Sequence, residues 1–229
     1  MGFIDSFNQN FIEQDRWKYL LNGLLTTLFI TFFAVLLGML LGFLVAIIRS
    51  TYLRTKRMLI PDIICRVYLT VIRGTPVVVQ LLIIYFVIFG SVNINKVLVA
   101  VLAFGINSGA YVAEIVRGGI MAVDDGQLEA GRSLGLSYRQ TMIHIVIPQA
   151  LKTVLPALAN EAIVLLKETS VAGYIAIADL TKGGDIIRSQ TFSPFLPLIS
   201  VAVIYLVLVM FLTSLVNVLE RRLAANDKR

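Results

Sequence analysis

The sequence feature that most constrains the fold is the run from Tyr19 to Ile48, which holds no charged residue. A helix needs roughly 20 apolar residues to cross the hydrocarbon core of a bilayer, and this run is longer than that. It is too long and too far from the start to be a secretory signal peptide, and no small-residue cleavage site follows it. The chain is therefore predicted to be an integral membrane protein.

The composition supports this prediction and excludes several kinds of chemistry. Of 229 residues, 58% are hydrophobic and 15% are charged, whereas soluble domains carry about 25% charged residues. The net charge of +6 is spread between apolar runs, so no nucleic-acid partner is expected. One cysteine (Cys65) and one histidine (His144) cannot form a disulfide, a CxxC site or a multi-histidine metal centre. No GxxxxGK[ST] segment is present, so any ATP must be bound by a partner.

Further apolar segments predict an all-α integral membrane protein with five transmembrane helices in one domain, residues 1–229. Gly74-Thr75-Pro76 puts a break inside the second span. Ser137 and Gln140 have the spacing of a capping box at the start of the fourth. The predicted spans cover about 19–48, 58–89, 97–121, 138–168 and 194–219.

The distribution of Lys and Arg predicts the orientation, because these residues concentrate in cytoplasmic loops. This places the amino terminus outside and the carboxyl terminus in the cytoplasm. The cytoplasmic set is Arg49, Arg54, Lys56, Arg57, Arg117, Arg132, Arg139, Arg221, Arg222, Lys228 and Arg229, and the opposite set is Arg16, Lys18, Lys96, Lys167, Lys182 and Arg188.

The predicted cytoplasmic loop after the third span has the pattern of a short helix, about residues 125–135. Asp124 precedes Gln127 by three residues, which favours a helix start, and Gly135 is placed to end the helix. Ala130 and Gly131 have little or no side chain, so a groove of a partner could close around this short helix. The alternative is an ordinary amphipathic connector.

Glu129-Ala130-Gly131 followed by Gly135 and Ile145-Val146-Ile147-Pro148 resembles the EAA loop of ABC importer membrane subunits, although Gly131 and Ile147 depart from its pattern. Other segments are similar to the permease family for polar amino acids, of the histidine, arginine and glutamine type. These are Arg73-Gly74-Thr75-Pro76 with Gln80, residues 110–120, Pro148-Gln149-Ala150-Leu151, and Leu165-Leu166-Lys167-Glu168-Thr169-Ser170.

The resemblance implies the transmembrane subunit of a type-I ABC importer, which forms a pathway for a polar or charged amino acid across the cell membrane. It implies two ATP-binding cassette subunits that hold ATP and Mg, a second copy or close relative of this chain, and an extracytoplasmic solute-binding protein. This chain itself would bind no cofactor or metal and would not be an enzyme. The residues that would couple to the ATPase are Glu129, Ala130, Gly131, Leu134 and Gly135.

Ionisable residues inside spans are costly and are therefore candidates for the pathway. In the fourth span, Glu161 could meet the ammonium group of an amino acid, and Lys167, Thr169 and Ser170 could meet its carboxylate. Glu168, in the same segment, is also a candidate contact of the substrate. Because Glu161 and Glu168 are seven residues apart, as are Asn160 and Lys167, one broad polar face is expected. The alternative is that these charges pair with each other or with Arg73 and only hold helices together.

Polar residues in the second and third spans complete the candidate substrate site. Arg73 and Thr75 with Gln80 mark a broken helix whose freed backbone groups would face a cavity. Asn107 could contact substrate or hydrogen-bond another helix. Glu114 and Arg117 are expected to form an ion pair within one helix.

Two other functions fit parts of the sequence. A self-sufficient secondary transporter or channel would normally show more spans and inverted repeats, which this chain lacks. A membrane anchor without transport would leave the charges of the fourth span unexplained. The sequence does not identify the amino acid, nor does it distinguish a homodimer from a heterodimer.

Overall fold

The computed structural model describes residues 2–225, so the basic residues Lys228 and Arg229 lie outside the described residues. All regular secondary structure in this range is helical, and it includes short π-helical turns at 8–12, 83–88 and 142–146 and 3₁₀ turns at 13–15 and 169–175. The α-helices are α1 Phe3–Phe7, α2 Trp17–Thr55, α3 Leu59–Arg73, α4 Val77–Leu82, α5 Lys96–Met121, α6 Asp125–Ser133, α7 Tyr138–Thr141, α8 Ile147–Glu168, α9 Leu180–Thr191 and α10 Phe195–Ala225.

Five transmembrane segments follow from these helices, which confirms the predicted fold class. Four are continuous and lie at Trp17–Leu53, Lys96–Met121, Tyr138–Ile175 and Phe195–Leu223. The other is a broken span, in which α3 and the helix 77–88 meet at an angle of 108° across the predicted break. Several helices extend past the predicted spans, because the uncharged runs mark the bilayer core while polar residues continue the helix into water.

The direction of α2 and α5 shows that the broken span crosses the bilayer. Gly38 of α2 packs against Ser108 of α5, and Gly42, one turn later, packs against Val112. The two helices are therefore parallel, and the chain between them must return to the opposite side. A Cβ atom on Gly42 would lie 2.4 Å from Val112 Cγ1. The GxxxG spacing in α2 is thus used for close helix packing.

Helix α5 forms the centre of the protomer. Most of its residues are buried, with α2 on one side and α8 on another. Gly119 packs against Val154 of α8, while Ser108 faces Glu161, so α8 runs antiparallel to α5. Helix α10 lies at the edge and contacts α8 and α9, while much of its apolar surface remains exposed.

The capping box predicted at the start of the fourth span is present. The Ser137 backbone N–H donates to Gln140 Oε1 at 2.9 Å, and the Gln140 N–H donates to Ser137 Oγ at 3.3 Å. This pair satisfies two N–H groups that have no partner inside the helix. It fixes where the fourth span begins, directly after α6.

Candidate functional site

Two carboxylates of α8, Glu161 and Glu168, lie against α5 and are called the acidic pair below. Ser108 Oγ donates to Glu161 Oε1 at 3.0 Å, and Asn107 Nδ2 donates to Glu168 Oε2 at 3.2 Å. Asn107 and Ser108 are buried, so α5 fixes the position of both carboxylates. Within residues 2–225 neither carboxylate forms an ion pair. The acidic pair is therefore oriented by neutral hydrogen-bond donors, with no salt bridge from the described residues.

The predicted cation of the site, Lys167, forms no salt bridge with Glu161 or Glu168 within residues 2–225. It lines a cavity of about 330 Å³ on the α9–α10 side, together with Ser170, Thr181 and Tyr205. Neighbouring residues on an α-helix point about 100° apart, and for that reason Lys167 and Glu168 face different helices. The expectation that Lys167 and Glu161 share one polar face is wrong.

Thr169 is fully buried and its hydroxyl group is used inside the protein. It donates to the Leu166 carbonyl at 2.8 Å and lies 3.5 Å from Thr31 Oγ1 of α2. This arrangement closes the end of α8 against α2. The structure therefore gives Thr169 a packing contact and leaves no exposed hydroxyl for a substrate.

Thr75 and Gln80 stabilise the break in the second span. Gln80 Nε2 donates to the Ile72 carbonyl at 2.7 Å, the Thr75 carbonyl at 3.0 Å and Thr75 Oγ1 at 2.9 Å. Thr75 Oγ1 in turn donates to the Val71 carbonyl at 2.8 Å. A helix break inside a membrane leaves carbonyl groups without partners, and these bonds satisfy them. Both side chains act on the backbone of the break, away from the acidic pair.

Arg73 lies in a different cluster, centred on Glu114 of α5. Glu114 forms ion pairs with Arg117 at 2.8 Å, Arg49 at 3.3 Å and Arg73 at 3.7 Å. The pair between Glu114 and Arg117 confirms the predicted ion pair within one helix. The contacts to Arg49 and Arg73 join α2, α3 and α5.

A second buried carboxylate extends this cluster. Asp62 of α3 has no exposed surface, and it pairs with Arg66 at 2.5 Å and with Arg49 at 3.5 Å. Sequence reasoning missed Asp62 as a site residue, although its i, i+4 spacing to Arg66 was a usable signal. Ser108 was also missed, and its signal was an Asn-Ser pair in an otherwise apolar span. Among residues 2–225, no group of three His, Cys, Asp or Glu side chains could hold a metal ion.

Helix α6 packs onto the start of the fourth span through Gly131. A Cβ atom at Gly131 would lie 2.5 Å from Thr141 Cγ2 and 3.0 Å from Ile145 Cδ1. Gly131 therefore allows contact within the chain, and the expectation that it borders a partner's groove is wrong. The absence of a side chain brings α6 close to α7.

The outward face of α6 carries the other predicted coupling residues. Glu129 and Ala130 are exposed, and 81% of Leu134 is accessible. Gly135 has a φ of +85°, a left-handed conformation that suits glycine and ends the helix. Leu134 thus presents an apolar side chain to the surface at the end of α6.

A family model for the binding-protein-dependent transport system inner membrane component matches residues 38–225. This chain belongs to that family. The matched range includes the acidic pair, α6 and the arginines around Glu114. The protein is therefore the membrane subunit of an ATP-driven importer, and it crosses the membrane several times.

Relatives and a solved structure support the assignment. The arginine transport system permease protein ArtQ of Bacillus subtilis (strain 168) is 41% identical over 162 residues, which are 70% of this chain and 74% of ArtQ. The glutamine transport system permease protein GlnP of Escherichia coli (strain K12) is 41% identical over 160 residues, 69% of this chain and 73% of GlnP. A crystal structure of an amino acid ABC transporter with histidines superposes with a TM-score of 0.83 at 43% identity, over 93% of this chain and 98% of that one. The MetNI methionine ABC transporter, at 18% identity and a TM-score of 0.74, shares the fold.

Proposed function

We propose that this permease carries a polar or charged amino acid and that the acidic pair contacts its ammonium groups. The observation that carries this proposal is the position of Glu161 and Glu168 inside a membrane protein, oriented by neutral donors and without an ion pair in the described residues. Carboxylates placed in this way select a cation, because a cationic partner offsets their loss of hydration. The relatives that transport arginine and glutamine, as their names state, support an amino acid as the cargo.

The donors on α5 give the site its geometry. Ser108 and Asn107 each use one carboxylate oxygen of the acidic pair, so the other oxygen of each carboxylate is available to an incoming N–H group. The carboxylate of the amino acid needs a donor elsewhere. Lys167 and Ser170 could supply one only from the α9–α10 side, where both line one cavity.

The assembly that we propose contains two permease subunits, identical or closely related, and two ATP-binding cassette subunits that bind ATP and Mg. An extracytoplasmic solute-binding protein delivers the amino acid. The amino terminus lies outside and the carboxyl terminus in the cytoplasm, as the distribution of Lys and Arg indicates. Glu129, Ala130 and Leu134 of α6 form the surface that docks on the ATPase.

The packing of α6 on α7 could transmit movement of the ATPase to the substrate site. Gly131 packs on Thr141 of α7, and α7 continues through a π-helical turn into α8. Glu161 and Glu168 lie on α8, whereas Asn107 and Ser108 lie on α5. Movement of α6 would therefore shift one half of the acidic site relative to the other.

Uptake into vesicles tests the substrate site. In the reconstituted importer, Glu161→Gln preserves shape and removes charge, so it should assemble and hydrolyse ATP but lose most uptake, more for a cationic than for a neutral amino acid. Losing one partner of a buried charged contact costs about 1.5–3 kcal/mol, or roughly 10- to 100-fold in affinity. Glu13→Gln, on an exposed carboxylate (61% accessible) of the N-terminal segment, is the matched control. Unchanged uptake of every amino acid by assembled Glu161→Gln would show that the acidic pair is structural.

Co-purification tests the docking surface. Leu134→Glu should lose the ATPase while the permease stays folded, because the exposed leucine makes no buried contact of its own. Gly131→Trp should instead displace α6 from Thr141 and make the loop sensitive to protease. Retention of the ATPase by Leu134→Glu would place the docking surface elsewhere.

A further inference from the structure

The arginine cluster, defined here as Arg49, Arg66, Arg73 and Arg117 with Asp62 and Glu114, carries more positive than negative charge. Four guanidinium groups face two carboxylates, so 4 − 2 leaves a net charge of +2 on these six residues. Both carboxylates are already engaged with two or three arginines each. A cleft lined by an excess of one sign of charge concentrates ions of the opposite sign. The cluster therefore has capacity for an additional anion.

The surplus charge surrounds a cavity that could receive such a group. The cavity has a volume of about 570 Å³ and is lined by Arg49, Arg66, Leu69, Thr70, Arg73, Gly74 and Glu114. One wall is a stripe of α3, since Arg66, Thr70 and Arg73 follow the i, i+4, i+7 spacing of a single helix face. The side chains of Arg66 and Arg73 are 50% and 45% exposed.

The opposite wall holds groups that are less exposed. Arg49 bridges Asp62 and Glu114: its buried Nε lies 3.5 Å from Asp62 Oδ1, and its Nη1 lies 3.3 Å from Glu114 Oε1. Guanidinium groups offer paired N–H donors whose geometry matches the two oxygens of a carboxylate or phosphate. Thr70 adds a hydroxyl donor between Arg66 and Arg73.

The cluster is separate from the acidic pair but lies on the same helix face. Asn107, Tyr111 and Glu114 form an i, i+4, i+7 stripe on α5, and the Arg73 guanidinium lies 5.9 Å from the centre of the Tyr111 ring. Seven residues of helix place the two charge clusters about 10 Å apart along the axis. One end of the stripe therefore favours cations and the other favours anions.

We propose that the arginine cluster binds an oxyanion group in the cavity between α2, α3 and α5. The carboxylate of a small solute and the phosphate of an anionic lipid headgroup share the required chemistry. The site does not depend on the acidic pair, and an importer whose cargo proves different would still contain it.

Arginine-specific labelling tests this site without measuring transport. The assembled importer, in nanodiscs of zwitterionic phosphatidylcholine, is treated with phenylglyoxal, and adducts are quantified by peptide mass spectrometry. Arg188 is the matched control, because its side chain is 46% exposed and hydrogen-bonded to Asp185. The probes are acetate and inorganic phosphate, compared with chloride at equal ionic strength, and nanodiscs that contain anionic phosphatidylglycerol.

At least threefold slower labelling of Arg66 and Arg73, with Arg188 unchanged, is the expected result. Protection by acetate or phosphate assigns the site to a free solute, and protection only by phosphatidylglycerol assigns it to a lipid headgroup. Arg73→Gln should reduce the protection of Arg66 by the same probe. Equal effects at Arg188, no protection by any probe, or failure of Arg66 and Arg73 to react in plain phosphatidylcholine would each overturn the proposal.

Discussion

Asp179 is an ionisable residue that is completely buried although it lies outside the transmembrane spans. It caps α9, where its Oδ1 accepts the Lys182 backbone N–H at 2.7 Å, but its Oδ2 is buried without a hydrogen-bond partner among the described residues. Gly23 of α2 packs directly on its carbonyl group. Burial raises the pKa of the Asp179 carboxyl from 3.8 to about 6. Its charged form is therefore a source of instability at neutral pH.

The substitution Asp179→Asn removes this charge and keeps the capping oxygen. Because the pKa is higher in the folded state, folded protein retains a proton that unfolded protein releases, so this residue lowers stability as pH rises from about 4 to 6. A shift of about two units corresponds to about 3 kcal/mol at pH 7.5 and almost none below pH 4. The variant should therefore gain about 2–3 kcal/mol relative to the parent between pH 4.0 and pH 7.5. This difference isolates the ionisation, since asparagine does not titrate and its packing cost is the same at both pH values.

The buried thiol of Cys65 supplies an assay within the chain. It is the only cysteine of the sequence and is buried in α3, so when the protein unfolds it reacts with 4,4′-dithiodipyridine, a disulfide that modifies thiols at acidic as well as neutral pH. Labelling of its peptide during a thermal ramp, followed by mass spectrometry, reports the apparent Tm in the assembled importer. For a chain of this size the expected gain is roughly 5–12 °C more at pH 7.5 than at pH 4.0.

Asp185, on the same helix, is the matched control with the opposite sign. Hydrogen bonds from Lys182 and Arg188 hold the pKa of its carboxyl below the usual value. Its charge therefore favours the folded state, and Asp185→Asn should lower the apparent Tm slightly at pH 7.5 and less at pH 4.0. The reasoning is refuted if Asp179→Asn shifts the Tm equally at both pH values, or if it behaves like Asp185→Asn.

Three further substitutions test packing. Gly42→Leu should lower the stability measured through Cys65 by more than about 1–3 kcal/mol, because even its Cβ atom would overlap Val112. Gly118→Ala is the control, because a Cβ atom at Gly118 would meet nothing within 4 Å. Gln80→Leu should cost about 2–3 kcal/mol by leaving the carbonyls of the helix break without donors, measured in the same assay. Asn10→Ala should expose the N-terminal segment to protease before the rest of the chain unfolds, because Asn10 accepts a hydrogen bond from Thr191 and is fully buried.

Features that depend on local sequence were predictable. Residues close together in the sequence determine three of these features, namely the uncharged run of α2, the break at Gly74-Thr75-Pro76 and the capping box at Ser137. The pairing of α2 with α5 was not predictable in this way. The spacing of Gly38 and Gly42 indicated a close contact, but only the fold identifies Ser108 and Val112 as its partners.

The rotation of each helix about its axis was the main quantity that the sequence left undetermined. Gly131 belonged to a recognised loop, yet its direction toward Thr141 depends on how α6 sits on α7. Arg73, Thr75 and Gln80 were likewise grouped by their position near the break. In the structure Arg73 joins the arginine cluster, whereas Thr75 and Gln80 hydrogen-bond the backbone of the break. This separation depends on the 108° bend.

Lys167 and Glu168 show why this rotation matters for function. They are adjacent in the chain, and sequence reasoning placed a cation and an anion in one amino-acid site. On the helix, Glu168 turns to Asn107 of α5 while Lys167 turns toward α9 and α10. The acidic pair is consequently left with neutral donors, whereas the excess cations collect around Glu114, about two turns along α5. Charge of opposite sign is thus separated along one helix face, with the two carboxylates at one end and the excess guanidinium groups at the other.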